Sequence, residues 1–242
     1  MEQHIDPSQQ AALRMKEAAG KAAVDALVKS GMKLGLGTGS TAYHAIRRVG
    51  ELLAQGTLKD ISAFATSLQT EIACGELAIP VYPLNSRELS GRLDLTIDGA
   101  DEVDPHNRLI KGGGGALLIE KIAAYASSVF AVAVDESKLA AGLGAGFPVP
   151  VEVVPEARLA ATWALEALGA RVVLREALRK AGPVITERGN VLLDISFASA
   201  VDPVALELEI NHIPGVVENG FFTRKRPVVY IARADGSVEI RE

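Results

Sequence analysis

The 242-residue sequence predicts an α/β protein: a mostly parallel sheet with helices on both faces, carrying a smaller α+β insert near its C-terminal end. Three observations predict it. Short apolar runs alternate with stretches of helical periodicity up to about residue 135. Three chemically loaded segments each follow directly on such a run, where open α/β sheets bind their ligands. Beyond residue 147 the pattern becomes strand, helix, strand, strand, helix, the order of a ferredoxin-like unit.

The elements follow in order. Ser8 is positioned to cap a helix to about Val28, with Met15, Ala18, Ala19, Ala22, Ala23, Ala26 and Leu27 at helical spacing. Met32 to Leu36 reads as a strand entering the turn Gly35-Leu-Gly-Thr-Gly-Ser-Thr41, and Ser40 to Leu53 as the next helix. Ile61–Ala65, Ile79–Tyr82, Leu93–Ile97 and Val129–Val134 read as strands, Leu68–Leu77 and Ala116–Ala126 as helices. In the insert, Val149–Val153, Arg171–Arg175 and Val191–Ser196 are strands, Glu156–Leu168 and Asp202–Ile210 helices. Val216–Phe222, Val228–Ala232 and Val238–Arg241 are expected to rejoin the main domain. Pro- and Gly-containing stretches at 144–150 and 214–220 mark the boundaries. Residues 1–147 and 217–242 would form a Rossmann-like catalytic domain, and 148–216 the smaller domain and an oligomer interface.

Composition narrows the function. Hydrophobic residues make up 48%, enough for a sizeable core, and the net charge of -5 argues against nucleic acid as the main partner. The single cysteine, Cys74, permits no intrachain disulfide and reads as a buried small hydrophobe. Met1, Glu2, Gln3 and Asp6 make no basic-then-apolar leader, and no apolar run approaches a membrane span, so a cytoplasmic protein with no membrane partner is expected. No repeat or low-complexity tract is visible.

The chemistry concentrates between positions 98 and 120. Asp98-Gly-Ala-Asp-Glu-Val-Asp104 is followed by Lys111-Gly-Gly-Gly-Gly-Ala116 and Glu120. Clustered carboxylates repel and consecutive glycines cost conformational entropy, so this segment is expensive as structure alone. It supplies a general base, a cation for an oxyanion, acids for hydroxyl protons and bare N–H groups for an anion. Gly99 and Ala100 are small enough to let substrate approach Asp98 and Asp101, while Glu102 and Asp104 are expected to face solvent. Gly112 to Gly115 form a backbone nest opening a helix, and Glu120 lies about one turn inside it. The earlier turn fails as a dinucleotide fingerprint, because Ser40 stands where the third glycine belongs. Its hydroxyls at Thr38, Ser40 and Thr41, at a helix N-terminus, suit a single phosphate. The carboxylate spacing is wrong for an EF-hand, and His4, His44, His106 and His212 lack zinc-ligand spacing. Trp163 falls in an apolar helical pattern and is expected in the core.

These blocks resemble the A-type ribose-5-phosphate isomerase family: GLGTGSTA (35–42), DGADEVD (98–104), KGGGGA (111–116) with Glu120-Lys121, and DESK (135–138), in the same order and spacing. The resemblance runs from about residue 10 to the end and is weakest over 150–215. It implies interconversion of D-ribose 5-phosphate and D-ribulose 5-phosphate without metal or organic cofactor. Glu120 would then be the base, Lys111 would stabilise the enediolate, Asp98 would help open the furanose ring, and Asp101 would hold sugar hydroxyls. Thr38, Gly39, Ser40, Thr41 and Lys138 would bind substrate, with Gly99, Ala100, Gly112, Gly113 and Gly114 lining it and Lys16 also reaching the phosphate. A homodimer or homotetramer is implied.

Three rival readings are weighed. A non-catalytic sugar-phosphate sensor would normally carry a DNA-binding helix pair, and only one helix precedes the first strand. A coenzyme A transferase of related fold would need a nucleophilic glutamate, with Glu218 the sole suggestion, and Asn219-Gly220 beside it reads as a turn. A nicotinamide-dependent dehydrogenase conflicts with Ser40 and with the lack of a convincing acidic ribose-binding residue after the second strand.

Overall fold

The structure, a computed structural model, describes residues 6–242. His4 and the rest of the segment Met1–Ile5, read above for a leader, lie outside the described residues.

By internal contacts the chain falls into two compact units. The first comprises Met1–Gly99, Ala123–Lys138 and Pro227–Glu242, the second Ala100–Ile122 and Leu139–Arg226. Asp98 and Gly99 of the acidic block fall in the first unit, while the rest of the block, the glycine nest and residues 217–226 fall in the second.

The first unit is built on a six-stranded sheet in the order β13-β12-β6-β3-β1-β2. Its strands are β1 (Lys33–Leu36), β2 (Ser62–Ala65), β3 (Leu93–Asp98), β6 (Ser127–Asp135), β12 (Val228–Ala232) and β13 (Val238–Arg241). All neighbours pair parallel except β12 with β13. Parallel neighbours require crossovers, which α2 (Ser40–Ala54) after β1 and α3 (Leu68–Glu76) after β2 help to supply, while α1 (Pro7–Leu27) precedes the first strand. The central strands are buried on both faces, as in Leu95, Ile97, Ala131 and Val132, and therefore read as continuous apolar runs. Asp6, not Ser8, occupies the cap position of α1, with a proline at the start of the helix where its missing N–H costs nothing. The strand expected at Ile79–Tyr82 shrinks to a single bridge between Ala63 and Val81, since Pro80 and Pro83 interrupt any ladder. Cys74 is fully buried, and desolvation pushes its thiol up to about 12.

The second unit contains a four-stranded antiparallel sheet, β10-β7-β9-β8, formed by β7 (Val149–Val153), β8 (Arg171–Leu174), β9 (Val191–Ser196) and β10 (Val216–Asn219). With α5 (Arg158–Ala167) and α6 (Pro203–Asn211) this completes the ferredoxin-like order. Val216–Asn219, expected back in the main domain, instead falls in this unit, where β10 pairs with β7 and closes the sheet. A small sheet joins β4 (Glu102–Val103) and β5 (Leu109–Ile110), which precede α4 (Leu117–Ala126), to β11 (Phe221–Phe222) from late in the chain; α4 begins in this unit and ends in the first. Trp163, expected in the core, is 65% exposed on α5, where Ala161 and Leu165 make the buried face. Among the described residues no helix is long and apolar enough to cross a membrane.

Candidate active site

In the first unit, β1 and β3 are hydrogen-bonded neighbours, so the turn after β1 and the end of β3 are brought together. Asp98, the last residue of β3, is fully buried, and its Oδ1 accepts from the N–H of Thr38 at 3.1 Å and of Gly99 at 2.8 Å. The carboxylate lies against Gly37, where an added Cβ would stand 2.0 Å from Oδ1. Only glycine fits there.

Thr38 turns its hydroxyl into a cluster at 2.8 Å from Thr66 Oγ1 and 2.7 Å from Ser67 Oγ. Thr70 completes the cluster by donating to the Gly37 carbonyl at 2.7 Å, and Thr66 donates to the Leu36 carbonyl at 3.1 Å. Thr38 therefore spends its N–H and its hydroxyl inside the protein and holds the turn to Asp98. α2 starts behind Gly39 with no side chain capping its first N–H groups, leaving the N-terminal end of the helix dipole open to an anion. Ser40 is exposed there, Thr41 is half-buried, and Lys16 on α1 donates to Ser40 Oγ at 3.1 Å. Lys138 ends the short 3-10 turn after β6 and is half-buried.

In the second unit, Lys111 and Glu120 form an ion pair with Nζ to Oε2 at 3.4 Å, their side chains 3% and 4% exposed. Glu120 sits in the first turn of α4, and Lys111 leaves β5 with its N–H donating to the Gly220 carbonyl at 2.9 Å. Removing water around a charge pair strengthens every electrostatic interaction it makes. A buried carboxylate beside an ammonium is the arrangement required to remove a C–H proton and stabilise the oxyanion that results. Asp101 accepts from the Gly113 N–H through Oδ2 at 2.7 Å, and its carboxylate packs on Gly113, where a Cβ would stand 2.6 Å from Oδ1.

The other acidic residues of the motif are structural. Glu102 is 9% exposed and Asp104 fully buried, contrary to the expected solvent-facing positions. Glu102 accepts from the Phe147 N–H at 2.8 Å. Asp104 organises the turn before β5 by accepting from the N–H groups of His106 and Arg108 and pairing with the Arg108 guanidinium. Glu218 is likewise occupied: it takes Lys121 at 2.8 Å, the Asn211 amide and the Asn219 N–H.

Sequence reasoning missed three groups. Lys121, next to Glu120, is buried and held by Glu207 at 3.1 Å, Glu218 and the Asn219 carbonyl, both at 2.8 Å. The Phe222 ring carries the Lys121 ammonium 4.8 Å from its centroid and that of Lys111 at 5.6 Å. The Thr66-Ser67 pair follows β2, and the strand-end rule that singled out the other segments would have found it. Among the described residues, no group of three or more His, Cys, Asp or Glu is placed to hold a metal ion.

Comparison with known proteins agrees with this chemistry. The family model described as "Ribose 5-phosphate isomerase A (phosphoriboisomerase A)" matches residues 62–236. The chain is 52% identical over 233 residues to ribose-5-phosphate isomerase A of Treponema denticola, covering 93% of this chain and 98% of that protein. It is 46% identical to the Nostoc protein of the same name, over 94% of this chain and 95% of that one. Among solved structures, a D-ribose-5-phosphate isomerase in complex with phospho-erythronic acid matches with a TM-score of 0.89 at 41% identity, over 94% of this chain and 97% of that one. Ribose 5-phosphate isomerase A of Methanocaldococcus jannaschii matches with a TM-score of 0.88 at 42% identity, over 94% and 98%.

Proposed function

The chain belongs to the ribose-5-phosphate isomerase A family, and we propose on that basis that Glu120 is the base that moves the proton between C2 and C1 of the sugar. The reaction is the reversible aldose–ketose isomerisation of D-ribose 5-phosphate and D-ribulose 5-phosphate, a step of the non-oxidative pentose phosphate pathway. The observation that carries the assignment is the buried Lys111–Glu120 pair at 3.4 Å. Glu120 takes the proton from the carbon next to the carbonyl, and the C–H electron pair becomes the double bond of an enediolate. Lys111 stabilises the negative oxygen, and Glu120 returns the proton to the neighbouring carbon. Asp98 assists ring opening and moves hydroxyl protons, and Asp101 holds sugar hydroxyls. Gly99, Ala100 and Gly112 to Gly114 leave room for the sugar backbone.

The phosphate is bound by Ser40, Thr41 and the first N–H groups of α2, with Gly39 setting the turn and Thr38 bracing it. The open helix N-terminus and the Lys16–Ser40 contact support this. Lys138 adds a second cation. No metal or organic cofactor takes part. The enzyme works in the cytoplasm as a homodimer or homotetramer, with the ferredoxin-like part at the interface; exposed Leu159, Trp163 and Val173 on that part support the placement. Light scattering at the mass of two or four chains is expected, and a monomer at micromolar concentration would remove this assignment.

The deciding experiment measures ribose 5-phosphate conversion by purified protein in EDTA, with Glu120→Gln alongside. Activity that survives chelation and falls about 10²–10⁴-fold in kcat in the variant is expected, the usual scale for a general base. Near-normal turnover of Glu120→Gln would remove Glu120 from the role. Binding of ribose 5-phosphate without turnover in the wild type would turn the site into a sensor. Lys138→Ala is expected mainly to raise KM, because a remote phosphate contact contributes equally to ground and transition states.

A further inference from the structure

The glycine nest carries no side chains of its own between Lys111 and Ala116, so its conformation must be imposed from outside. Asp101 provides one restraint. The other comes from the ferredoxin-like part of the same unit, in Arg175, immediately after β8. The Arg175 backbone is fixed first: its N–H donates to the Leu192 carbonyl at 2.9 Å, and its carbonyl accepts from Val184 N–H at 2.8 Å. Its guanidinium then forks onto Asp194 of β9, with Nε to Oδ2 at 2.8 Å and Nη2 to Oδ1. The remaining nitrogen, Nη1, straddles two successive carbonyls of the nest, Gly112 and Gly113, at 3.1 Å each.

Peptide geometry makes this arrangement informative. The Gly112 carbonyl and the Gly113 N–H belong to one trans peptide and point in opposite directions. Arg175 holds the first and Asp101 holds the second at 2.7 Å, so that peptide is clamped at both ends. The next peptide has its carbonyl on Arg175, so the Gly114 N–H points away from Arg175, towards the side on which Asp101 lies. That N–H meets no acceptor among the described residues. The clamp also fixes the short path from Lys111 to the first turn of α4, where Glu120 sits.

We propose that Arg175, locked by Asp194, is a positioning residue for the isomerisation: it orients the nest peptides so that the Gly114 N–H and Lys111 keep their alignment with Glu120. This rests on the isomerase reading above. The role requires a planar fork with several donors, so lysine cannot replace arginine: one ammonium cannot satisfy both Asp194 oxygens and both carbonyls.

The test compares wild type with Arg175→Ala, Arg175→Lys and Asp194→Asn, reading kcat and KM separately, thermal midpoint, and amide hydrogen exchange over residues 111–116. Arg175→Ala is expected to lower kcat at least about tenfold with KM changed less than about threefold, since small misplacements of aligned groups cost rate rather than affinity. Arg175→Lys should behave like Arg175→Ala, and added guanidinium should restore part of the Arg175→Ala rate. Exchange at Gly113 and Gly115, whose N–H groups are hydrogen-bonded, should speed up in the variants. Full activity of Arg175→Lys, a defect confined to KM, or unchanged exchange over 111–116 would overturn the proposal. Exchange is read without turnover, so an inactive wild type would remove the isomerase reading while the clamp is still judged on its own. Should Arg175→Ala not fold, Arg175→Lys and Asp194→Asn carry the same comparison.

Discussion

The glycine turn of the first unit and the glycine nest of the second solve one problem with different materials. In each, an aspartate lies against a glycine and takes a backbone N–H: Asp98 on Gly37 with Thr38 N–H, Asp101 on Gly113 with Gly113 N–H. The carbonyl sides differ. Neutral hydroxyls hold the turn, with Thr70 on the Gly37 carbonyl, whereas a guanidinium holds the nest. Where the neighbouring helix N-terminus is to receive an anion, neutral donors can be satisfied internally without competing for it. Where the loop leads into a buried ion pair, charge-assisted bonds give the stiffer and more directional support.

Four substitutions would break or sharpen this contrast. The largest effect is expected from Gly37→Ala, whose Cβ would stand 2.0 Å from Asp98 Oδ1 and 2.6 Å from its Cα, so backbone must move. A loss of at least about 10² in kcat/KM follows from a displacement on the order of 1 Å. Gly113→Ala meets the end of the Asp101 side chain at 2.6 Å and the Phe147 ring at 3.0 Å, which can shift, and should lose roughly tenfold. Steady-state kinetics on both decides; equal losses would erase the distinction between the two segments.

Next comes Lys121→Met beside the nest. It strands Glu207 and Glu218 in a buried network and should cost about 3–5 kcal/mol in urea unfolding. A change under about 1 kcal/mol would show that the network contributes little. On the neutral side, Thr70→Val leaves the Gly37 carbonyl without its donor and should cost about 1–3 kcal/mol, less than the charged network.

The smallest effect concerns His44 on α2. Desolvation lowers its pKa below 6.5, with Arg47, Lys16 and Lys21 adding and Glu17 opposing. The unfolded chain therefore takes up this proton before the folded one. The stabilisation is complete above about pH 6.5 and is lost as the pH falls towards the lowered value. A midpoint drop of about 1–2 °C between pH 7 and pH 5, absent in His44→Gln, is expected by differential scanning fluorimetry.

The sequence made the parallel sheet legible because its strands are apolar runs separated by helical periodicity, and it exposed Asp98, Asp101, Lys111 and Glu120 because glycines and acids crowd around them. Lys16 stood out only through family resemblance, and the fold brings it to Ser40. What stayed hidden depends on register and partner. Val216–Phe222 carries the same short-strand signature whichever domain it joins, and only pairing with β7 decides for Val216–Asn219. Glu102 and Asp104 looked solvent-facing because their partners, the Phe147 N–H and the turn amides of His106 and Arg108, are backbone groups without a residue-type signature. Arg175 and Asp194 carry no motif: their meaning comes from carbonyls 62 and 63 positions away. Trp163 falls in a helical pattern whose buried face, Ala161 and Leu165, lies on the opposite side of α5.

The six-stranded sheet has a consequence for biosynthesis. β6 pairs with β3 on one side and with β12 on the other, yet β6 ends at Asp135 and β12 begins at Val228. A ribosome adding roughly 5–20 residues per second needs about 5–20 s to make the intervening chain. Throughout that interval the apolar flank of β6, with Ala131 to Val134 at its centre, is an open edge able to accept a foreign strand. Most of the second unit, Leu139–Arg226, is made within this window, so the nascent chain must complete one fold while the other waits unfinished.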